Sequence, residues 1–282
     1  MRFSISLPKR LGLFALVTVL CYILTGVLVG VVTVAFGVTP PVLRILSVIQ
    51  DIMLFMLPAL ITAMLITRLP ATFLLLDRKP SLRMSLSGIL LLAVSVPAMN
   101  SVIAWNEAIA LPAAFEAPLR AAEEQARQMI ETVLGGYDAG SLVMGLLLVG
   151  ILAPLAEELF FRGCLLRLFT TGRMNTHVAI WLTAVIFSLL HGQVYGFVPR
   201  MLLGGIFGYA AVWSRSLWVP VLMHAFNNST YVVSRYVTHG AEDIIDGNLL
   251  VNLVSVLLAA TVVWVMYRSR VTESDTAREA NG

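Results

Sequence analysis

Charge is what this 282-residue sequence has least of: only 12% of its residues are Asp, Glu, Lys or Arg. A water-soluble domain carries about 25%, so a surface facing water on all sides is excluded. Cysteine is scarce as well. Cys21 and Cys164 both lie in apolar runs, which argues against a disulfide framework. The formal net charge is only +3, and no basic face with interleaved aromatics is present, so nucleic acid is not expected as a partner. The sequence has no internal repeat, no low-complexity segment, no GxSxG turn and no HExxH pair.

What remains is apolar. Hydrophobic residues make up 59% of the chain and the mean hydropathy is +0.88. A spanning helix needs roughly 20 apolar residues. About eight segments are candidates: 11–36, 45–67 (with Pro58), 84–105 (with Pro97), 141–169, 177–193, 199–213, 217–236 and 248–267. The expected fold class is all-α, a polytopic transmembrane helical bundle with membrane lipid as its solvent. The first run follows Arg2, Lys9 and Arg10 but is about twice as long as a signal-peptide core and ends in no small-residue cleavage site. It reads as an uncleaved membrane helix.

Loop charges predict the orientation. Arg2, Lys9 and Arg10, then Arg68, Arg78, Lys79 and Arg83, then Arg167 and Arg173, then Arg215, then Arg268 and Arg270 all fall on one side. That side is expected to be the cytoplasm, with both termini there and the protein in the cell (inner) membrane. The opposite loops carry Arg44, Arg200 and Arg235 together with Glu242, Asp243 and Asp246. Four regions are expected: a three-helix membrane region over 1–106, an extramembrane connector over 107–140, a membrane core over 141–240, and a last span with a disordered tail over 241–282. In the connector, Arg120, Glu123, Glu124 and Arg127 alternate with apolar residues up to Gly135-Gly136, which predicts an amphipathic surface helix. It reads as a solvated connector rather than a substrate lid.

Charged groups inside spanning helices are rare and usually functional. Here they concentrate in the second half: Glu157, Glu158 and Arg162 in 141–169, His191 at the end of 177–193, His224 and Asn228 in 217–236. Glu158 and Arg162 are four apart and share a helix face, so they can pair. Glu157, about 100° round the helix, is left to face a neighbour. At about 1.5 Å per residue from the cytoplasmic ends, Glu157 and His191 lie about 20 Å deep, Asn228 about 18 Å and His224 about 12 Å. One carboxylate, two imidazoles and a carboxamide can therefore surround one hydrated cavity.

Such a set supports two kinds of amide hydrolysis. Glu157 with a His can activate water directly, while the other His and the Asn donate to the oxyanion. Alternatively Glu157, His191 and His224 can ligate a divalent metal such as zinc, which activates the water. The residues leave both open. Two further classes stay in play, a non-catalytic scaffold or immunity protein and a proton-coupled transporter. Bland roles are also available: a structural ion pair for Glu158 and Arg162, helix-to-helix bonding for His224 and Asn228, repair of the Pro97 kink by Asn100, close packing at Gly204-Gly205, and interfacial anchoring by Trp105, Trp213 and Trp218.

Taken together, EExxxR (Glu157, Glu158, Arg162), FxxxH (Phe187, His191) and HxxxN (His224, Asn228), in that order on successive membrane segments, resemble the CPBP family. These are the CAAX proteases and bacteriocin-processing enzymes, also called type II CAAX prenyl endopeptidase or ABI proteins. The resemblance covers roughly 140–240. It implies an intramembrane endopeptidase acting on a peptide or membrane-protein substrate, by CAAX-type or leader-peptide processing. It implies Glu157 as base or metal ligand with His191 as its partner, and His224 and Asn228 as transition-state donors or His224 as a ligand. Glu158, Arg162 and Phe187 would support the site, the first two by holding Glu157 in place.

Overall fold

The computed structural model describes residues 5–240 and 248–270, and among these there is no strand. The acidic cluster Glu242, Asp243 and Asp246 and the tail from Thr272 lie outside the described residues. Apart from the single turn Pro70–Phe73, the helices are α1 (Leu7–Phe36), α2 (Pro40–Ile66), α3 (Leu82–Glu107), α4 (Ala113–Leu134), α5 (Ala139–Thr171), α6 (Thr176–Leu189), α7 (Phe197–Ser214), α8 (Trp218–Thr238) and α9 (Leu249–Arg268). Five of them, α1, α2, α3, α5 and α9, are long and apolar enough to cross a membrane, and α6 is a shorter apolar helix.

The outer wall of the bundle is apolar. Leu16, Leu20, Val27 and Val34 on α1 and Leu250, Leu257 and Trp264 on α9 are all exposed. Stripes of this size are not left to water in a soluble monomer. A helical bundle with all backbone polar groups satisfied internally is the form such a chain takes in lipid. This is a multi-pass membrane protein, as composition predicts.

Helix α9 runs along α3, α7 packs on α6 and α3, and α8 fills the centre against α5 and α3. Glycines allow the closest of these approaches. A Cβ on Gly208 would stand 2.8 Å from Ile180 Cγ2, and one on Gly204 3.2 Å from Ala184 Cα, so the Gly204-Gly205 pair does serve close packing.

Prolines shape the two helices that meet at the centre. Proline has no N–H to donate into a helix. Ahead of Pro58, α2 widens into a π-helical turn over Asp51–Met56, with Leu57 N–H donating to Ile52 O. Ahead of Pro154, α5 does the same over Leu146–Leu152, with Ala153 N–H donating to Leu148 O. A second wide turn, Leu159–Leu165, follows Glu158. Such turns recur at functional sites, and here they bracket the two glutamates. At Pro97 a neighbouring helix takes part in the repair. The hydroxyl of Ser255, from α9, donates to Val94 O (2.6 Å) and accepts from Ala98 N–H (3.4 Å).

Candidate active site

Glu157, Phe187, His191, His224 and Asn228 all line one cavity of about 420 Å³, together with Asn227, Phe207 and Leu203. The three motifs thus converge on shared space, although the elements that carry them differ in detail from expectation.

Helix α5 supplies the acidic pair. Glu158 and Arg162 are fully buried, with Arg162 Nη1 donating to Glu158 Oε1 at 2.6 Å. The guanidinium also donates from Nη2 to Gly204 O (3.0 Å) and sits over the Phe187 ring at 4.8 Å. The expected service of this pair to Glu157 is not what the structure shows. Glu158 Oε1 instead accepts from His224 Nδ1 at 2.8 Å. Two bonds to one buried oxygen orient the imidazole, so the pair holds the histidine. Consecutive residues on a helix point about 100° apart, and Glu158 therefore faces α8 from behind the cavity while Glu157 faces into it.

His224 is buried, stacked on Phe207 (4.9 Å between centroids, 23° between planes). Its Nε2 stands 3.9 Å from Glu157 Oε2. Both of its ring nitrogens thus look at carboxylates, one bonded and one across a gap.

Asn228 is held at both ends. Its Nδ2 donates to Val149 O (3.1 Å), and its Oδ1 accepts from Asn227 Nδ2 (3.3 Å). Val149 O needs a donor because the wide turn sends Ala153 N–H to Leu148 O and the next residue, Pro154, has none. The close approach of α8 that this bond requires passes over Gly150, where a Cβ would come within 2.6 Å of Ser229 Oγ. One N–H of the Asn228 amide remains for the cavity.

His191 is not inside a spanning helix. Helix α6 ends at Leu189, and His191 lies in the turn beyond it. Its Nδ1 is 2.8 Å from Phe187 O. A carbonyl only accepts, so Nδ1 carries the hydrogen and Nε2 of the neutral ring keeps its lone pair. The Phe187 ring packs edge-on to His191 (4.9 Å) and to His224 (6.1 Å). Phe187 thereby touches both imidazoles and the buried cation.

Among the described residues no three His, Cys, Asp or Glu side chains stand close enough to hold one ion. Glu157, His191 and His224 share the cavity without forming a three-donor cluster, and His224 Nδ1 is already bonded to Glu158. The arrangement does not fit a bound ion, so no chemical step is derived through one.

Several cavity residues were not singled out from the sequence. Glu107, Glu123 and Arg200 line it as well. Glu123 was grouped with the other charges of an amphipathic helix, where nothing in its spacing sets it apart. Arg44 and Arg235, expected on the same side as Arg200, brace α4: Arg44 Nε donates to Val133 O (2.8 Å) and Arg235 makes two bonds to Glu131 Oε2 (2.8 and 2.6 Å). Asp51, a carboxylate within a predicted span, lies on α2 within electrostatic reach of Glu157.

Residues 139–230 match the family model described as type II CAAX prenyl endopeptidase Rce1-like. A relative, the membrane-embedded CAAX protease MroQ of Staphylococcus aureus (strain USA300), is 34% identical over 91 residues, covering 30% of this chain and 36% of that protein. The match thus spans about a third of the relative's length. No solved structure matches. The matched segment contains all seven motif residues, from Glu157 to Asn228, five of which line one cavity; over residues 139–230 the chain is similar to the CPBP family, in its Rce1-like branch.

Proposed function

We propose that the chain is an intramembrane endopeptidase in which Glu157 and His191 activate a water within the cavity. The observation that carries this is the placement of Glu157 Oε2 3.9 Å from His224 Nε2 in a cavity that His191 and Asn228 also line. Glu157 takes a proton from the water as its oxygen bonds to the scissile carbonyl carbon, and the Nε2 lone pair of His191 positions that water. Negative charge then moves to the carbonyl oxygen. His224, held at Nδ1 by Glu158, faces it with Nε2, and the spare N–H of Asn228 meets it from the other side. Collapse breaks the C–N bond, and Glu157 returns its proton to the leaving amine. One water is consumed, giving a carboxylic acid and an amine.

The family description and the relative's name favour CAAX-type processing, with leader-peptide processing as the second substrate class. The basic loops support a cytoplasmic side for both termini and a site in the cell membrane.

The test is cleavage of a fluorogenic farnesylated CAAX peptide, and of an unprenylated leader-type peptide, by purified protein in micelles. Glu157→Gln is isosteric and is expected to leave thermal stability unchanged while cleavage of the accepted peptide falls by at least about 10²-fold. Full-rate cleavage by that variant would remove Glu157 from the mechanism.

A further inference from the structure

Helix α6 has 14 residues, about 21 Å of helix, against a hydrocarbon core of about 30 Å. The turn that follows it, carrying His191, falls short of the far boundary. Irregular backbone at that depth survives only if protein satisfies it. Three of its backbone groups, and one at the start of α7, are met by side chains from other elements. Asn106, at the end of α3, donates to Val194 O (3.1 Å) and accepts from Val198 N–H (2.8 Å). Arg200 of α7 donates to Gln193 O (3.4 Å). Glu123 of α4 accepts from Tyr195 N–H (2.9 Å).

Glu123 does more than this. Its second oxygen accepts from Gln193 Nε2 (2.9 Å), while Gln193 Oε1 accepts from Arg200 Nη2 (2.9 Å). The Gln193 amide is thus oriented between a carboxylate and a guanidinium. Arg120, one helical turn earlier on α4, lies 4.5 Å over the Tyr195 ring. Both Glu123 and Asn106 lie outside residues 139–230, the segment matched by the family.

We propose that α4 is a latch across the cavity mouth and that Glu123 is a positioning residue for His191. It holds the histidine turn in its working place, with Asn106 as the second fixed point. The proposal rests on the reading of His191 as part of the catalytic machinery. A carboxylate is required because it offers two acceptors to two donors. An amide in its place keeps one acceptor and loses one bond. Because Arg44 and Arg235 brace the far end of α4, loss of Glu123 frees the turn without freeing the helix.

The experiment compares Glu123→Ala, Glu123→Gln and Glu123→Asp, with Glu124→Ala as control, since Glu124 bonds to Arg127 and Gln128 on its own helix. Hydrogen exchange in micelles is read for the 190–198 peptide, and single-turnover cleavage is read with the farnesylated fluorogenic peptide. In Glu123→Ala, exchange across 190–198 is expected to accelerate by about five- to tenfold through the lost bonds, with the rest of the bundle unchanged. The cleavage step slows about ten- to a hundredfold at nearly constant KM, Glu123→Asp recovers part of it, and Glu123→Ala adds no further loss in a His191→Ala background. Unchanged exchange in 190–198, or an equal loss of rate in the His191→Ala background, overturns the latch. Full-rate cleavage by Glu157→Gln and His191→Ala would instead overturn the catalytic reading, and the exchange result would still decide whether Glu123 holds the turn.

Discussion

Removing the cation from the buried pair separates structural from catalytic service. Glu158 and Arg162 are fully buried and 2.6 Å apart, and the same Glu158 oxygen orients His224 at 2.8 Å. Arg162→Met leaves a buried carboxylate with no cation, a change that costs about 3–5 kcal/mol. For a chain of this size that corresponds to a fall in apparent Tm on the order of 10 °C. Replacing both partners, Glu158→Leu with Arg162→Met, removes both charges from the interior, and such exchanges are often close to neutral. The double variant is therefore expected to regain most of the lost Tm in micelles. Its activity is not expected to return, because His224 Nδ1 has lost its acceptor and the ring its fixed orientation. A loss of about 10- to 100-fold in kcat/KM on the farnesylated peptide is expected, the usual scale for removing an orienting partner. Recovery of both Tm and activity in the double variant would refute the orienting role. An unchanged Tm in Arg162→Met would refute the premise that the pair is buried and mutually dependent.

Two further outcomes follow from the geometry, beside those set for Glu157 and Glu123. Because no three-donor cluster forms among the described residues, cleavage is expected to persist after dialysis against a strong chelator; stoichiometric zinc in purified protein, with activity lost on chelation and regained with zinc, would restore Glu157, His191 and His224 as ligands. At the start of α5, Asp138 accepts from Ser141 N–H (3.0 Å) and Ser141 Oγ (2.7 Å), and these bonds hold its carboxyl below the usual range. A lowered folded value means the cap stabilises at pH above the unfolded value of about 3.9 and is lost as pH falls through the folded value. The thermal stability of Asp138→Ala, measured across acid pH, is expected to be lower than wild type at pH 7 and to converge on it at the acid end; a constant gap would refute the cap.

Some of this was available from residue types alone. Apolar runs near 20 residues and a charge content half that of soluble domains fix lipid as the solvent, since neither depends on how the chain packs. The motif residues Glu157, Glu158, Arg162, Phe187, His191, His224 and Asn228 were legible because an ionisable or strongly polar group in an apolar run is conspicuous wherever it points. Helical spacing also foretold the pairing of Glu158 with Arg162, because four residues make one turn.

What the other residues do depended on neighbours far away in the chain. Spacing could not say that Glu158 turns to His224, because that choice is made by where α8 crosses α5, and the crossing depends on Gly150 and on a carbonyl freed by Pro154. Nor could it say that α6 stops at Leu189, leaving His191 on a turn whose backbone needs donors and acceptors from α3, α4 and α7. Glu123 is one of six charges on an amphipathic helix, and only the docking of α4 distinguishes it from Glu124, one residue on. Local pattern reports what a segment buries; which partner receives each polar group is settled only when the segments pack.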